Sequence, residues 1–281
     1  MKRIKFLFIF LFPLILSSCS DFLDVSDELA EQRDYESIFN SPTDTRRWLM
    51  DVYLGIPDPS DMHASNGYKH PWPILSDEID LNAQANDWNL EIITPSHFRA
   101  NRWGGLWQRV RQANIFLERA HVIPKSGDAD YIDDVELVYL KAQARFFRAY
   151  YHYLLFELYG PIPVITESAD PDNTKIDYAR NSVDEVVQFI YNELTDIADD
   201  LRDPDLSAES TLAIPTKGTA LALRAKLMVY AASPLYNGGY ANALKVTNKD
   251  GKRLFPDYDA TKWQKALDAC QSFIDYAESG N

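Results

Sequence analysis

Between Lys141 and Ile165 the chain reads KAQARFFRAYYHYLLFELYGPIPVI. Ala142, Phe146, Ala149, Tyr150, Tyr153 and Leu154 recur at helical spacing, and Phe147, Leu155, Phe156 and Leu158 widen the stripe until little of the helix is polar. A helix that is apolar on most sides is packed by neighbours on several faces, so this pattern predicts the central helix of the protein. Gly160 is placed to take the left-handed conformation of a C-cap. Pro161 and Pro163 forbid continuation, so the exit IPVI is expected to be short, apolar and extended.

Other helices are announced by their caps. Ser41-Pro42-Thr43-Asp44 supplies a capping hydroxyl, a first-turn proline and an acid for the positive helix end, with Trp48, Leu49, Val52 and Tyr53 as the buried face. Trp103, Leu106, Trp107, Val110, Asn114, Leu117 and His121 form the next stripe. Ser182 and Glu185 have capping-box spacing ahead of Val183, Val186, Val187, Ile190, Leu194, Ile197 and Leu201. Thr216 is placed to cap a helix that buries Leu221, Leu223, Leu227, Met228 and Ala231 and stops at Ser233-Pro234. Asp259 or Thr261 opens a last helix running through Tyr276, with Trp263, Ala266, Leu267, Cys270 and Ile274 as its apolar face. None of these amphipathic helices buries its face alone, so neighbours must stack as in a helical solenoid. Strict tetratricopeptide spacing is absent and loop lengths vary, which makes the pairs degenerate. Ile56–Ser96 stands apart. It is rich in Pro, Asn, Asp and Gly, has no long period, and holds Trp72 and Trp88 among polar residues. A long irregular segment inside a compact domain is commonly functional or disordered, and its aromatics argue against disorder.

The first 18 residues read as a secretory leader. Lys2, Arg3 and Lys5 form its basic end, and Phe6–Leu16 is an apolar core too short for a stable span. Leu16-Ser17-Ser18-Cys19 fits a bacterial lipobox, with Cys19 as the lipid acceptor; the competing reading is a plain secretory signal with a chance cysteine. Several acyl chains anchor stably where one would be marginal. Residues 19–40 are then expected to be an acidic, lipidated tether and first segment, and residues 41–281 the helical domain. Removing the leader takes away three basic residues and no acids from a formal charge of −14. So acidic a chain is a poor partner for nucleic acid or an anionic surface. A neutral ligand or a protein suits it better. With Cys19 lipidated, Cys270 has no disulfide partner and reads as a small buried hydrophobe.

The order of parts carries more than any one residue. A lipoprotein leader precedes WQRVRQANIFLERA, the central helix with its YGPIPV exit, RNSVDEVVQFIYNELTDIADDL, and PTKGTALALRAKLMVYAASPLYNGG. The series resembles the SusD/RagB family of outer-membrane nutrient-binding lipoproteins over nearly all of the mature chain. That resemblance implies a mostly α fold: a right-handed superhelix of tetratricopeptide-like helix pairs with long irregular loops. It also implies a surface-exposed, lipid-anchored outer-membrane protein that captures an oligosaccharide or other nutrient and passes it to a TonB-dependent transporter of the SusC type. Members of the family are typically about twice this length. The helical half is expected here, with a second, more irregular half beyond Asn281.

Candidate chemistry is sparse. The chain has no GxSxG, HExxH, GxxxxGK[ST] or GxGxxG. His63, His70, His97, His121 and His152 lack ligand spacing, and His121 and His152 read as helical packing or capping residues. Asp170, Asp172 and Asp177 lack the Gly and terminal Glu of an EF-hand. No metal and no cofactor is expected. Sugar rings have apolar faces that stack on indole, while Asp and Asn bond hydroxyls. Trp88 with Asn86, Asp87 and Asn89 offers both within four residues, and Trp72 and Asp77 lie nearby in sequence. These six are the candidate ligand residues, chosen on local chemistry; the competing reading makes the tryptophans loop anchors. Two further classes stay open. Asp77 and Glu78 would be the acid pair of a lipid-anchored glycoside hydrolase. A helical-repeat scaffold for a protein partner would hold no small ligand.

Overall fold

The computed structural model describes residues 34–57, 76, 94, 101–169, 176–204 and 213–279. The fold is mostly α. Two isolated antiparallel bridges pair described residues with each other, Ile123 with Ile132 and Thr247 with Arg253. The helices are α1 (Tyr35–Phe39), α2 (Pro42–Tyr53), α3 (Trp103–Arg119), α4 (Asp134–Tyr159), α5 (Val183–Asp196), α6 (Lys217–Ala232) and α7 (Thr261–Glu278). From α3 onward each packs on the next in the chain, α3 on α4, α4 on α5, α5 on α6 and α6 on α7, while α2 packs on both α3 and α4. This is the stacked-pair arrangement that the amphipathic pattern demands.

The expected caps form. The Ser41 side chain accepts from Asp44 N, and Ser182 with Glu185 makes the full capping box. Thr216 accepts from Thr219 N, and Thr219 answers on the Thr216 N–H. Two ends differ from expectation. α4 begins at Asp134, seven residues ahead of the apolar run, because Asp133 caps the Glu136 N–H at 2.8 Å. Val135 and Val138 face solvent in the first two turns, so no apolar stripe announces them. Gly160 ends α4 with φ +70 and ψ −131. That is the glycine-only quadrant rather than the left-handed helical one, and it turns the chain directly into the extended exit.

The core follows α4. Phe147, Tyr151, Tyr153, Leu155 and Phe156 are among its largest fully buried side chains. Tyr151 donates to the Val52 carbonyl and Tyr53 to Gln143, tying α2 to α4. Just past α2 the backbone slides over the Tyr151 ring. A Cβ at Gly55 would stand 2.7 Å from the Tyr151 Cζ, so only glycine passes there.

The last helix corrects an expectation. Ala266 and Ala269 are its buried apolar residues, while Trp263 is 47% and Leu267 58% exposed and Ile274 also faces outward. Cys270 is a free, half-buried thiol on that outward side rather than a core residue. The stripe at helical spacing is real. What decides its direction is the close approach of α6, which small alanine side chains permit. The cap is also shared differently: Ala260 is the N-cap residue without a side-chain bond, and the Asp259 carboxylate accepts from Thr261 N at 2.9 Å. His121 lies beyond the end of α3, where its ring meets the Arg119 carbonyl and Asn40.

Candidate functional site: an aromatic cleft between α3 and the extended exit

The site starts from backbone groups that need partners. Residues 161–169, leaving α4, are extended but have no neighbouring strand among the described residues. Side chains replace the missing sheet. Asn114 Nδ2 on α3 donates to the Ile165 and Glu167 carbonyls at 3.2 and 3.0 Å. Asn181 Oδ1 accepts from Val164 N at 2.9 Å, and Asn181 N donates to the Ile162 carbonyl. Glu118 accepts from both Ser168 N and Ser168 Oγ at 2.6 Å.

His152, fully buried on α4, completes the set. Its Nδ1 lies 2.7 Å from the Arg148 carbonyl, which fixes the proton there, so Nε2 accepts from Ile165 N at 3.2 Å. Burial holds its pKa down at about 4, and the nearby Arg148 charge acts in the same direction. The ring is therefore neutral, as its accepting role requires. In the unfolded chain a histidine titrates near 6.5. The unfolded state thus binds more protons between about pH 6.5 and 4, and stability falls with falling pH across that window. Roughly 3 kcal/mol is lost once pH drops below the folded value. Urea titrations between pH 7 and 4 should show this slope for the wild type and a shallower one for His152→Gln.

Beneath the segment lies a buried ion network. Arg148 Nη2 is 2.6 Å from Glu193 Oε2, and Arg145 Nη2 is 2.8 Å from Oε1 of the same carboxylate and 3.1 Å from Asp196. Arg148 Nη1 reaches on to Asn114 Oδ1 and the Thr166 carbonyl. Burial pushes the Glu193 pKa up, but the Arg145 hydrogen bonds and the Arg148 charge outweigh it and the net shift is downward. The network therefore links α3, α4, α5 and the exit segment through one carboxylate.

Pinned in this way, the exit stands off from the start of α3 and leaves a cleft of about 540 Å³. This is within the range of roughly 300–1,000 Å³ common to small-ligand sites. Trp103, Trp107, Tyr178, Pro163 and Ile165 give it aromatic and apolar walls, while Gln108, Arg111 and Glu167 supply polar groups. Trp103 sits edge-on to Trp107 at 5.6 Å and to Tyr159 at 5.1 Å, and remains 40% exposed. The Tyr159 hydroxyl accepts from Arg102 N and Trp103 N, which fixes the first turn of α3. Nothing stands within 4 Å of where a Cβ would lie on Gly104 or Gly105. Each glycine in a helix costs about 1 kcal/mol relative to alanine. No packing contact calls for them.

The residues singled out by sequence are distributed otherwise. Cys19, Trp72, Asp77, Glu78, Asn86, Asp87, Trp88 and Asn89 lie outside the described residues, as do His63, His70, His97, Asp170 and Asp172. Asp177 pairs with Lys249 at 3.0 Å. Trp103 and Trp107 belong to the helical stripe of α3, and the structure leaves Trp103 exposed and Trp107 half-buried. Among the described residues no three His, Cys, Asp or Glu side chains converge as metal ligands, and no helix is long and apolar enough to cross a membrane.

Stacked helix pairs with an aromatic cleft beside the extended exit define a helical-repeat protein. The family model described as "Starch-binding associating with outer membrane", SusD-like, matches residues 21–229, and the chain belongs to that family. No curated protein matches it. Among solved structures it is similar to BT4246, at 27% identity and a TM-score of 0.66, covering 85% of this chain and 40% of that one. The surface glycan-binding protein A from Bacteroides uniformis matches at 16% identity and a TM-score of 0.57, over 84% and 46% of the two chains. A laminarin-binding SusD-like protein matches at 19% and 0.52, over 69% and 41%. The chain therefore spans less than half the length of these structures.

Proposed function

We propose that this protein is a surface glycan-binding lipoprotein that captures an oligosaccharide without cleaving it and delivers it to a TonB-dependent, SusC-like transporter. The observation that carries the reading is the cleft of Trp103, Trp107 and Tyr178 in a chain of a starch-binding family. Indole and phenol faces stack on the apolar faces of sugar rings, and Gln108, Arg111 and Glu167 bond hydroxyls at the rim. Glycoside hydrolysis needs two opposed carboxylates. Among the described residues lining the cleft Glu167 is the one carboxylate. Trp72, Asp77, Asn86, Asp87, Trp88 and Asn89 are proposed as further ligand residues, and Cys19 as the lipid anchor at the outer membrane. Transfer to the transporter rests on membership of the family alone.

A screen of the chain without residues 1–19 on immobilised glycans tests this. One glycan class should be retained, its eluate should show no shortened products, and retention should weaken in Trp88→Ala. Shortened products would point to the hydrolase instead. Failure to retain any glycan would leave the protein-binding scaffold.

A further inference from the structure

A second cavity, of about 640 Å³, opens between α5, α6 and α7 and shares no lining residue with the aromatic cleft. Arg224 on α6 lines it and is only 9% exposed. Its Nη1 donates to Thr195 Oγ1 at 3.2 Å and its Nη2 to Ser272 Oγ at 2.8 Å, while the guanidinium lies 5.4 Å over the Tyr191 ring. Its Nε is buried and has no partner. A guanidinium carries five N–H donors, so most of this one's capacity is unused.

The contrast with its neighbours is informative. Arg148, buried to the same degree, has Glu193 at 2.6 Å. Lys262, in the same cavity and equally buried, has Asp184 at 2.5 Å. Arg224 forms no ion pair among the described residues, although Asp184, Asp259 and Asp268 line the cavity with it. A buried cation held by two neutral hydroxyls bears a desolvation cost that an incoming carboxylate would offset. Arginine is also the side chain whose fork matches a carboxylate.

We propose that this cavity is a carboxylate-binding site that takes a uronic-acid unit of an oligosaccharide, with Arg224 as its anion anchor. The sugar assignment rests on the glycan-binding reading above. The lining decides between sugar and acidic peptide. Among the described lining residues Arg224 is the one buried cation without an ion pair, and it is set among three carboxylates and Gln188, which suits a ligand bearing one carboxylate among many hydroxyls. A peptide rich in acids would meet repulsion from the same three aspartates. Lys265 at the lining adds a second positive charge near the ligand.

The test is a calorimetric titration of the chain without residues 1–19, using a xylotriose that bears a single glucuronic acid and the methyl ester of the same sugar, which keeps the hydroxyls and removes the charge. The acid should bind at least tenfold more tightly than the ester at low salt. Arg224→Gln should abolish that preference, and Lys265→Ala, a change outside the core, should reduce acid binding severalfold even where the Arg224 variant folds poorly. Equal binding of acid and ester, or a preference that survives Arg224→Gln or is untouched in Lys265→Ala, would overturn the site. So would an acidic hexapeptide that binds tighter than the uronide, as regards the sugar. Sodium glucuronate followed at the Arg224 Nε–H resonance separates the two readings. A shift there without any oligosaccharide binding would keep the carboxylate site and sink glycan capture. Glycan binding that depends on Trp103 with no shift at Arg224 would do the reverse.

Discussion

Glu193→Ala should destabilise the fold by about 3–5 kcal/mol, the cost of leaving a buried charge without its partner. The Glu193 carboxylate answers two arginines of α4, Arg145 and Arg148, at 2.8 and 2.6 Å. Arg145 retains Asp196 at 3.1 Å. Arg148 would keep only Asn114 Oδ1 and the Thr166 carbonyl, both neutral. The loss should reach the cleft as well, because Asn114 also holds the Ile165 and Glu167 carbonyls in place. Chemical denaturation gives the magnitude. Two controls locate its origin: Glu193→Gln should cost less, since an amide oxygen still accepts, and the double change Arg148→Met with Glu193→Met should recover much of the stability.

Phe156→Ala should cost a similar amount, about 3–5 kcal/mol, through lost burial and the cavity left behind. Phe156 is fully buried near the end of α4 and packs on Tyr236 at 4.6 Å, which in turn stacks on Phe255 at 6.4 Å. The Tyr236 hydroxyl also donates to the Phe156 carbonyl. This aromatic ladder joins the central helix to the segment between α6 and α7. Thermal melts should show a large fall in Tm with cooperativity kept, whereas Phe156→Leu should lose far less.

The contrast between what was legible and what was not has physical causes. The helices could be read because their signals are local. Ser41, Ser182 with Glu185, and Thr216 cap within three residues, and the stripe that begins at Val183 on α5 is buried throughout, continuing past the end of the helix to Ile197 and Leu201. The inward side of α7 could not, because it depends on how closely α6 approaches Ala266 and Ala269. The buried network was equally hidden. Arg148 and Glu193 lie 45 residues apart, and nothing in either helix alone announces the other. Asn114 did fall on a core stripe, and the structure shows why a polar residue belongs there: it serves backbone carbonyls that lack a strand partner.

The site shows the same division. The sequence places Trp103 and Trp107 on a helical stripe and says nothing of which way they face. Their half-open position arises from tertiary placement of the exit segment, fixed by Asn181, His152 and Glu118 from three different parts of the chain.

The central claim is that an oligosaccharide is held in the cleft of Trp103, Trp107 and Tyr178. The most direct measurement is a calorimetric titration of a retained neutral glycan into the wild type and into Trp103→Ala, with Tm recorded for both. A half-exposed ring that anchors a ligand should cost about tenfold or more in affinity when removed, with Tm little changed. Unchanged affinity in a folded Trp103→Ala protein would contradict the account.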